Sequence, residues 1–208
     1  MVDLQSQYAF IRPQVEAGME EVLSSAQFIN GPAVKSFQSN LESYLGVKHV
    51  IPCANGTDAL QVAMMGLGLE PGDEVITADF TFAATVEVIA LLGLTPVLVD
   101  VDPNSFNIDT KAIERAITPK TKAIVPVHLF GQVADMDAIM PIAEKHNLYV
   151  SKTMPKALAQ RIQMQMGIQP KQAGLVMWVR PLFFPPKTSV VMGMAVRFSP
   201  MTTSLLTP

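Results

Sequence analysis

The feature that most constrains the fold is a regular alternation of short apolar stretches and amphipathic stretches across residues 50–150. The apolar stretches are rich in β-branched residues and predict strands, as in "DEVIT" (73–77), "TPVLVDVD" (95–102) and "TKAIVPVHLF" (121–130). Between them lie stretches with apolar side chains at helical spacing. Strands that alternate with helices form parallel sheets covered on both faces, so we predict an α/β fold with a mainly parallel sheet.

In such a sheet, ligands bind beyond the carboxyl ends of the strands, where loops and helix N-termini meet. The stretch "CANGTDAL" (53–60) follows a predicted strand: Asn55-Gly56 turns the chain, and a helix begins beside Thr57 and Asp58. Unpaired N–H groups and the helix dipole favour an anion there, with Gly56 allowing close approach and Thr57 adding a hydroxyl. The alternative is a capped helix that binds nothing.

Two more stretches follow predicted strands. In "ADFTFAAT" (78–85), Phe80 and Phe82 either present an aromatic face to a planar ring or belong to the core. In "PVHLFGQVADM" (126–136), His128 either donates to a ligand, acts in acid–base chemistry or is a hydrogen-bonded structural residue. The residues alone leave these alternatives open.

Charge is distributed unevenly along the chain. All 18 acidic residues precede Ser151, whereas 7 of the 15 basic residues lie in residues 151–208. These basic residues are scattered among apolar ones, which does not favour nucleic-acid binding.

Cys53 is the one cysteine, which excludes an internal disulfide and a multi-cysteine metal site and favours a reducing compartment. With no signal-peptide pattern and no apolar run of membrane length, we expect a cytoplasmic protein that binds no metal, nucleic acid or membrane.

The order of the stretches is more specific than any one of them. Residues 2–150 contain, in order, "FINGPAV", "YLGVKHVIPCANGTDAL", "PGDEVITADFTFAAT", "LLGLTPVLVDVDPNSFNID", "AITPKTKAIVPVHLFGQVADM" and "IAEKHNLYV". This series closely resembles the DegT/DnrJ/EryC1/StrS family of sugar aminotransferases, which use pyridoxal phosphate and have the aspartate-aminotransferase fold. The resemblance therefore implies that residues 1–150 are the N-terminal part of a pyridoxal-phosphate transferase large domain.

The resemblance also implies roles for three residues. It places Gly56 and Thr57 at the cofactor phosphate and Phe82 over the pyridine ring, and it leaves His128 open. Family members transfer an amino group, usually from glutamate, to a keto group of a nucleotide-linked sugar used in polysaccharide or secondary-metabolite biosynthesis. A lysine moves the proton, and the cofactor accepts the electrons. The intact relatives are usually homodimers with sites at the interface.

The resemblance stops at Val150. There the family continues its "VIED" strand with "AQA", whose strand aspartate meets the pyridine nitrogen, and later has "SFFPSKNLG", whose lysine binds the cofactor covalently. If one base is missing after the Val150 codon, codons can be chosen so that "SKTMPKALA" reads E-D-N-A-Q-G-I-G two bases later. In the same frame, "FFPPKTSVVMGMAVRFSPMTT" contains F-P-S-K-N-L-G and G-D-G-G-A-I-F-T-N-D. We interpret residues 151–208 as a frameshifted, irregular and poorly ordered tail.

The frameshift removes the residues that would perform catalysis. Lys187 falls near the position of the family's cofactor-binding lysine, but its flanking "PPKTS" is not "PSKNL", so we assign it no role. We assign no catalytic residue and expect an inactive fragment of a sugar aminotransferase. Two alternatives remain: a non-catalytic binding or regulatory module that uses the basic tail for contact, or a chain that does not fold stably.

Overall fold

The computed structural model of the protein describes residues 3–45, 49–129, 132–153, 173–175 and 192–195. Within these residues the chain forms six helices and seven strands. The helices are α1 (Leu4–Ser25), α2 (Pro32–Leu45), α3 (Gly56–Met65), α4 (Ala84–Leu91), α5 (Thr110–Ala116) and α6 (Met136–His146). The strands are β1 (Val50–Cys53), β2 (Glu74–Ala78), β3 (Thr95–Val99), β4 (Thr121–Val125), β5 (Tyr149–Lys152), β6 (Ala173–Leu175) and β7 (Met192–Ala195).

Five of these strands form one parallel sheet in the order β3-β2-β4-β5-β6. The other two, β1 and β7, form an antiparallel pair. Helices pack on both faces of the parallel sheet, which confirms the predicted α/β class and the mainly parallel sheet. None of the described helices is long and apolar enough to cross a bilayer.

The two faces of the sheet follow from the alternation of side chains along each strand. On β2, Val75 packs with the buried residues of α3 and α4, whereas Ile76 packs with those of α5 and α6. On β4, Val125 packs on the same face as Val75, and Ile124 packs on the same face as Ile76. Each fully buried aliphatic side chain contributes about 1.5–3 kcal/mol to folding, so this alternation fixes the register of the strands.

The order of the strands places a topological switch point between β2 and β4. From β2 the chain passes through α4 to β3 on one side, and β4 lies on the other side of β2. Helix α4 belongs to one face of the sheet and α6 to the opposite face, so the segments that leave β2 and β4 diverge at their carboxyl ends. Such a switch point is where parallel α/β sheets bind ligands.

The predicted boundary at Ser151 falls inside β5, which runs from Tyr149 to Lys152. The ladder continues for one more residue, because Thr153 donates its N–H to the carbonyl of Pro126 (3.2 Å) and accepts the N–H of His128 (3.0 Å). Farther along, β6 pairs with β5, and β7 pairs with β1. Lys187 and the rest of the predicted tail lie outside the described residues.

Candidate functional site

The first candidate stretch forms the start of helix α3. Asn55 has extended backbone angles (φ −158°) and caps the helix: its Oδ1 accepts the N–H of Asp58 at 2.9 Å. Its Nδ2 donates to the Asp58 carboxylate at 2.7 Å. We predicted that Asn55 and Gly56 turn the chain and that the helix starts beside Thr57. The helix does begin beside Thr57, but Asn55 is its cap and Gly56 its first residue, so Gly56 belongs to the helix and not to the turn.

The same helix start has unpaired donors. The backbone N–H groups of Gly56 and Thr57 precede the first helical hydrogen bond, which Ala59 donates to the carbonyl of Asn55. Neither N–H group bonds to another described residue. Gly56, the residue that carries the first of these donors, is buried. The geometry is that of a helix N-terminus able to accept an anion.

Cys53 lies at the end of β1, directly before this helix. Its thiol donates to the carbonyl of Asn55 at 3.4 Å, and the residue is half-buried. Burial raises the pKa of the Cys53 thiol above its ordinary value, and the Asp58 carboxylate raises it further, because both disfavour the thiolate. A hydrogen bond with the Asn55 backbone that favours the thiolate opposes these effects and is weaker. Cys53 is therefore a poor nucleophile at neutral pH.

We predict that iodoacetamide alkylates Cys53 more slowly in the folded chain than in the urea-unfolded chain at pH 8. The thiolate is the reactive form, and the raised pKa lowers its fraction at this pH. The ratio of the two rates should shrink as pH rises toward 10, because the folded thiol then ionises as well. Cys53 is the one cysteine of the chain, so mass spectrometry reports its modification directly. Equal rates at pH 8 would contradict the prediction.

The second candidate stretch joins β2 to α4. Phe82 is 67% exposed, and Phe80 is 47% exposed, so the core alternative for these two aromatics is wrong. The ring of Phe80 contacts that of Phe106, with centroids 5.6 Å apart. The Oγ1 atom of Thr81 is buried and has no hydrogen-bond partner among the described residues. An exposed aromatic face and a buried hydroxyl therefore lie at the carboxyl end of β2.

The third candidate residue, His128, is completely buried at the end of β4. Its Nδ1 accepts the N–H of Ala134 at 3.0 Å, and its backbone N–H donates to Thr153. Because Nδ1 is an acceptor, a neutral ring carries its proton on Nε2. This environment favours the third alternative stated for His128, a hydrogen-bonded structural residue.

One polar residue that was not selected from the sequence is Asn107, which is 4% exposed. Its Nδ2 donates to the carbonyl of Val133, and its Oδ1 accepts the N–H of Leu129, both at 3.4 Å. These bonds span 26 and 22 residues of sequence, so no local pattern predicts them. An asparagine in "DPNSFNID" is typical of a turn, which concealed its tertiary role.

The carboxyl end of β5 carries no acidic side chain. Counted from Val150, the aspartate of the family's "VIED" strand falls at position 153, where this chain has Thr153. The isoleucine of that strand falls at Ser151, which is 2% exposed and whose hydroxyl has no partner among the described residues. This strand end therefore has a buried hydroxyl at Ser151 and no carboxylate at position 153.

The described residues fit pyridoxal phosphate in part. The phosphate fits the start of α3, with its two unpaired N–H groups and the Thr57 side chain. One face of the ring fits the exposed Phe82. At the position where the family's strand aspartate would meet the ring nitrogen, this chain has the neutral Thr153. The fit is thus confined to the phosphate and one ring face.

Comparison with known proteins gives a family match. The model of the DegT/DnrJ/EryC1/StrS aminotransferase family matches residues 11–176, so the match extends beyond Val150, where the sequence motifs end. A UDP-2-acetamido-2-deoxy-3-oxo-D-glucuronate aminotransferase from Pseudomonas aeruginosa is 52% identical over 149 residues. That match covers 72% of this chain and 42% of the relative, so the chain spans about two fifths of the relative's length.

Solved structures give the same result. A DegT DnrJ EryC1 StrS aminotransferase from Brucella abortus has a TM-score of 0.70 and 45% identity, over 73% of this chain and 43% of that one. The structure of ntda from Bacillus subtilis, solved with bound cofactor PMP, has a TM-score of 0.63 and 42% identity, over 64% and 31%. The family and these neighbours indicate pyridoxal phosphate as the cofactor.

Proposed function

Because the chain belongs to the DegT/DnrJ/EryC1/StrS aminotransferase family, we propose that Gly56, Thr57 and Phe82 form the phosphate and ring-face part of a pyridoxal-phosphate site. The intact protein would transfer an amino group, from glutamate, to a nucleotide-linked keto-sugar. The observation that supports this site most directly is the start of α3, where a buried glycine and two unpaired N–H groups follow the asparagine cap.

Each of the three residues has a limited task in this proposal. The N–H groups of Gly56 and Thr57 bind phosphate oxygens, and the helix dipole adds to the attraction. The exposed ring of Phe82 stacks on one face of the pyridine and excludes water from it. When bound, the cofactor supplies an electron sink that none of these side chains provides.

We further propose that the 208-residue chain does not catalyse the transfer. The reaction needs a partner for the ring nitrogen and a lysine held at the cofactor. Position 153 holds a neutral threonine, and Lys187 lies in sequence that we interpret as frameshifted. The chain is thus an aminotransferase by descent that keeps part of the cofactor site.

The expected result is that the purified chain, mixed with pyridoxal phosphate, develops no visible absorbance band of a lysine-bound cofactor. A protein expressed from the gene with one base restored after codon 150 should develop this band and transaminate. Borohydride reduction followed by peptide mapping identifies any lysine that is modified. A yellow 208-residue chain with the cofactor trapped on one lysine would overturn the proposal of inactivity.

We also propose that the intact protein is a cytoplasmic homodimer. Large apolar side chains are exposed on α1 and just after it, including Phe10 (87%) and Ile29 (89%). Such exposure is typical of surfaces that pack against a partner. Sedimentation equilibrium of the base-restored protein should give twice the monomer mass, and a monomer at micromolar concentration would contradict this proposal.

A non-catalytic binding module is the second candidate. Two observations favour it: β6 adds to the parallel sheet beside β5, and β7 pairs with β1. If these strands belong to a stable unit, their amides should be protected from hydrogen exchange in a monodisperse chain. Exchange at the unprotected rate in 173–175 and 192–195 would reject this alternative.

A further inference from the structure

Two buried polar side chains, His128 and Asn107, join segments that are far apart in sequence. His128 accepts the N–H of Ala134 at 3.0 Å through Nδ1, within a fully buried environment. Asn107 bonds both Leu129 and Val133, on either side of the point where the chain leaves β4 for α6. The two side chains together thus bind three backbone groups of the segment between β4 and α6.

The same two residues also connect to the neighbouring segments. The backbone N–H of His128 donates to Thr153, at the carboxyl end of β5. Asn107 directly follows Phe106, whose ring contacts Phe80 in the segment after β2. Phe106 has a φ of +56°, a conformation that bulky residues rarely adopt and that persists only where the surroundings determine it.

We propose that His128 and Asn107 are positioning residues that act as a pair: they hold the segments after β3, β4 and β5 in one arrangement at the carboxyl edge of the sheet. Through Phe106 and Phe80, the pair also fixes the segment that presents Phe82. The pair touches no ligand in this proposal. Its effect on ligand binding rests on the proposed cofactor site, whereas its effect on the backbone does not.

The hydrogen bonds assign a distinct task to each atom. Nδ1 of His128 must remain unprotonated, because it accepts the Ala134 N–H. Asn107 must present both an oxygen and an N–H group, because it accepts from Leu129 and donates to Val133. Asparagine at position 128 places its amide oxygen near the position of Nδ1, so it can replace the histidine as acceptor; leucine cannot.

The first test is amide hydrogen exchange in the 208-residue chain. In His128→Leu, exchange of the Ala134 amide should accelerate at least about tenfold, since a buried hydrogen bond is lost. His128→Asn should restore it to within about threefold of wild type. The Ile124 amide in β4 serves as the internal reference for global unfolding. Unchanged exchange at Ala134 in His128→Leu, or no restoration in His128→Asn, would overturn the proposal.

The second variant tests the other half of the pair. Asn107→Asp keeps the shape of the side chain but loses the donor to Val133, so exchange should accelerate in the 132–134 segment. Asn104→Ala is the matched control, because Asn104 is exposed in the same turn between Val101 and Ile108, and no bond joins its side chain to the segment. Equal acceleration in the two variants would show that Asn107 has no special role.

The third test separates positioning from general destabilisation. Inorganic phosphate and pyridoxamine phosphate, which has no aldehyde to react with lysines, are titrated while the alkylation rate of Cys53 reports occupancy. In Asn107→Asp, pyridoxamine phosphate should protect Cys53 from alkylation only at about tenfold higher concentration than in the wild-type chain. The concentration of inorganic phosphate that protects Cys53 should not change, because the start of α3 does not depend on the pair. Equal weakening of both would contradict positioning.

The outcomes of these tests separate the two proposals. If neither ligand protects Cys53 in the wild-type chain, the proposed cofactor site is wrong. The exchange measurements then decide by themselves whether His128 and Asn107 hold the backbone. If both ligands protect and the exchange does not respond to the substitutions, the cofactor site stands and the positioning pair is rejected.

Discussion

Replacing Ser151 with alanine is expected to raise the free energy of unfolding by about 1–2 kcal/mol. Ser151 is 2% exposed, and its hydroxyl has no hydrogen-bond partner among the described residues. Val150 packs with the α6 side of the core, so Ser151 lies on the opposite face, beside Val125 of β4. A buried hydroxyl without a partner loses its hydration and gains nothing in return, and removing it should stabilise the chain.

Thr77 is the matched control for this experiment. It is fully buried on the same face of the sheet, but its hydroxyl donates to the carbonyl of Val125 at 2.9 Å. Thr77→Val should therefore lower the free energy of unfolding by about 1 kcal/mol, the opposite sign. Urea unfolding followed by circular dichroism measures both variants. If Ser151→Ala instead lowers the free energy of unfolding, the hydroxyl has a partner or the position tolerates no loss of side-chain volume.

The expected sign for Ser151 bears on the frameshift interpretation. Selection removes unsatisfied buried polar groups from strands, so native cores contain few of them. The family's "VIED" strand would place an isoleucine at this position and an aspartate at position 153. If Ser151→Ala raises the free energy of unfolding, the result agrees with the interpretation that the side chains of β5 after Val150 were not selected for their positions.

Replacing Asn55 with alanine should lower the free energy of unfolding by about 1 kcal/mol and also weaken phosphate binding. The Asn55 side chain caps α3 by accepting the Asp58 N–H, and it holds the Asp58 carboxylate through Nδ2. Without this bond the carboxylate is free to approach the anion site, and the first turn of α3 frays. Urea unfolding gives the stability, and protection of Cys53 by inorganic phosphate gives the binding.

Two further substitutions distinguish capping from charge. Asn55→Ser keeps a good cap, so its stability should stay within about 0.5 kcal/mol of wild type. Asn55→Asp also keeps an acceptor for the Asp58 N–H, but it places a second carboxylate at the helix start and should abolish phosphate protection of Cys53. Phosphate protection that survives in Asn55→Asp would place the anion elsewhere.

Local patterns predicted much of the fold. The β-branched runs predicted β2, β3 and β4, and the alternation with amphipathic stretches predicted the helices between them. These features depend on residues within one or two turns of each other, so the sequence contains the information that decides them.

The candidate site was predicted less completely. Position along the chain identified Gly56, Thr57, Phe82 and His128, because ligand sites follow strands in parallel sheets. The exposure of Phe82, the burial of His128 and the bonds of Asn107 depend on which segments meet at the edge of the sheet. Asn55 illustrates the limit at short range: an Asn-Gly pair is typical both of a turn and of a helix cap.

The sequence by itself determined the strand–helix alternation, the order of the motifs and the change of character after Val150. The tertiary structure decided which polar side chains are satisfied: Thr77 and Asn107 find partners, and the Ser151 hydroxyl finds none among the described residues. The physical reason is the separation along the sequence between the groups that interact. Propensity and periodicity act over a few neighbouring residues, whereas a buried hydrogen bond depends on groups brought together by packing from 20 or more residues away.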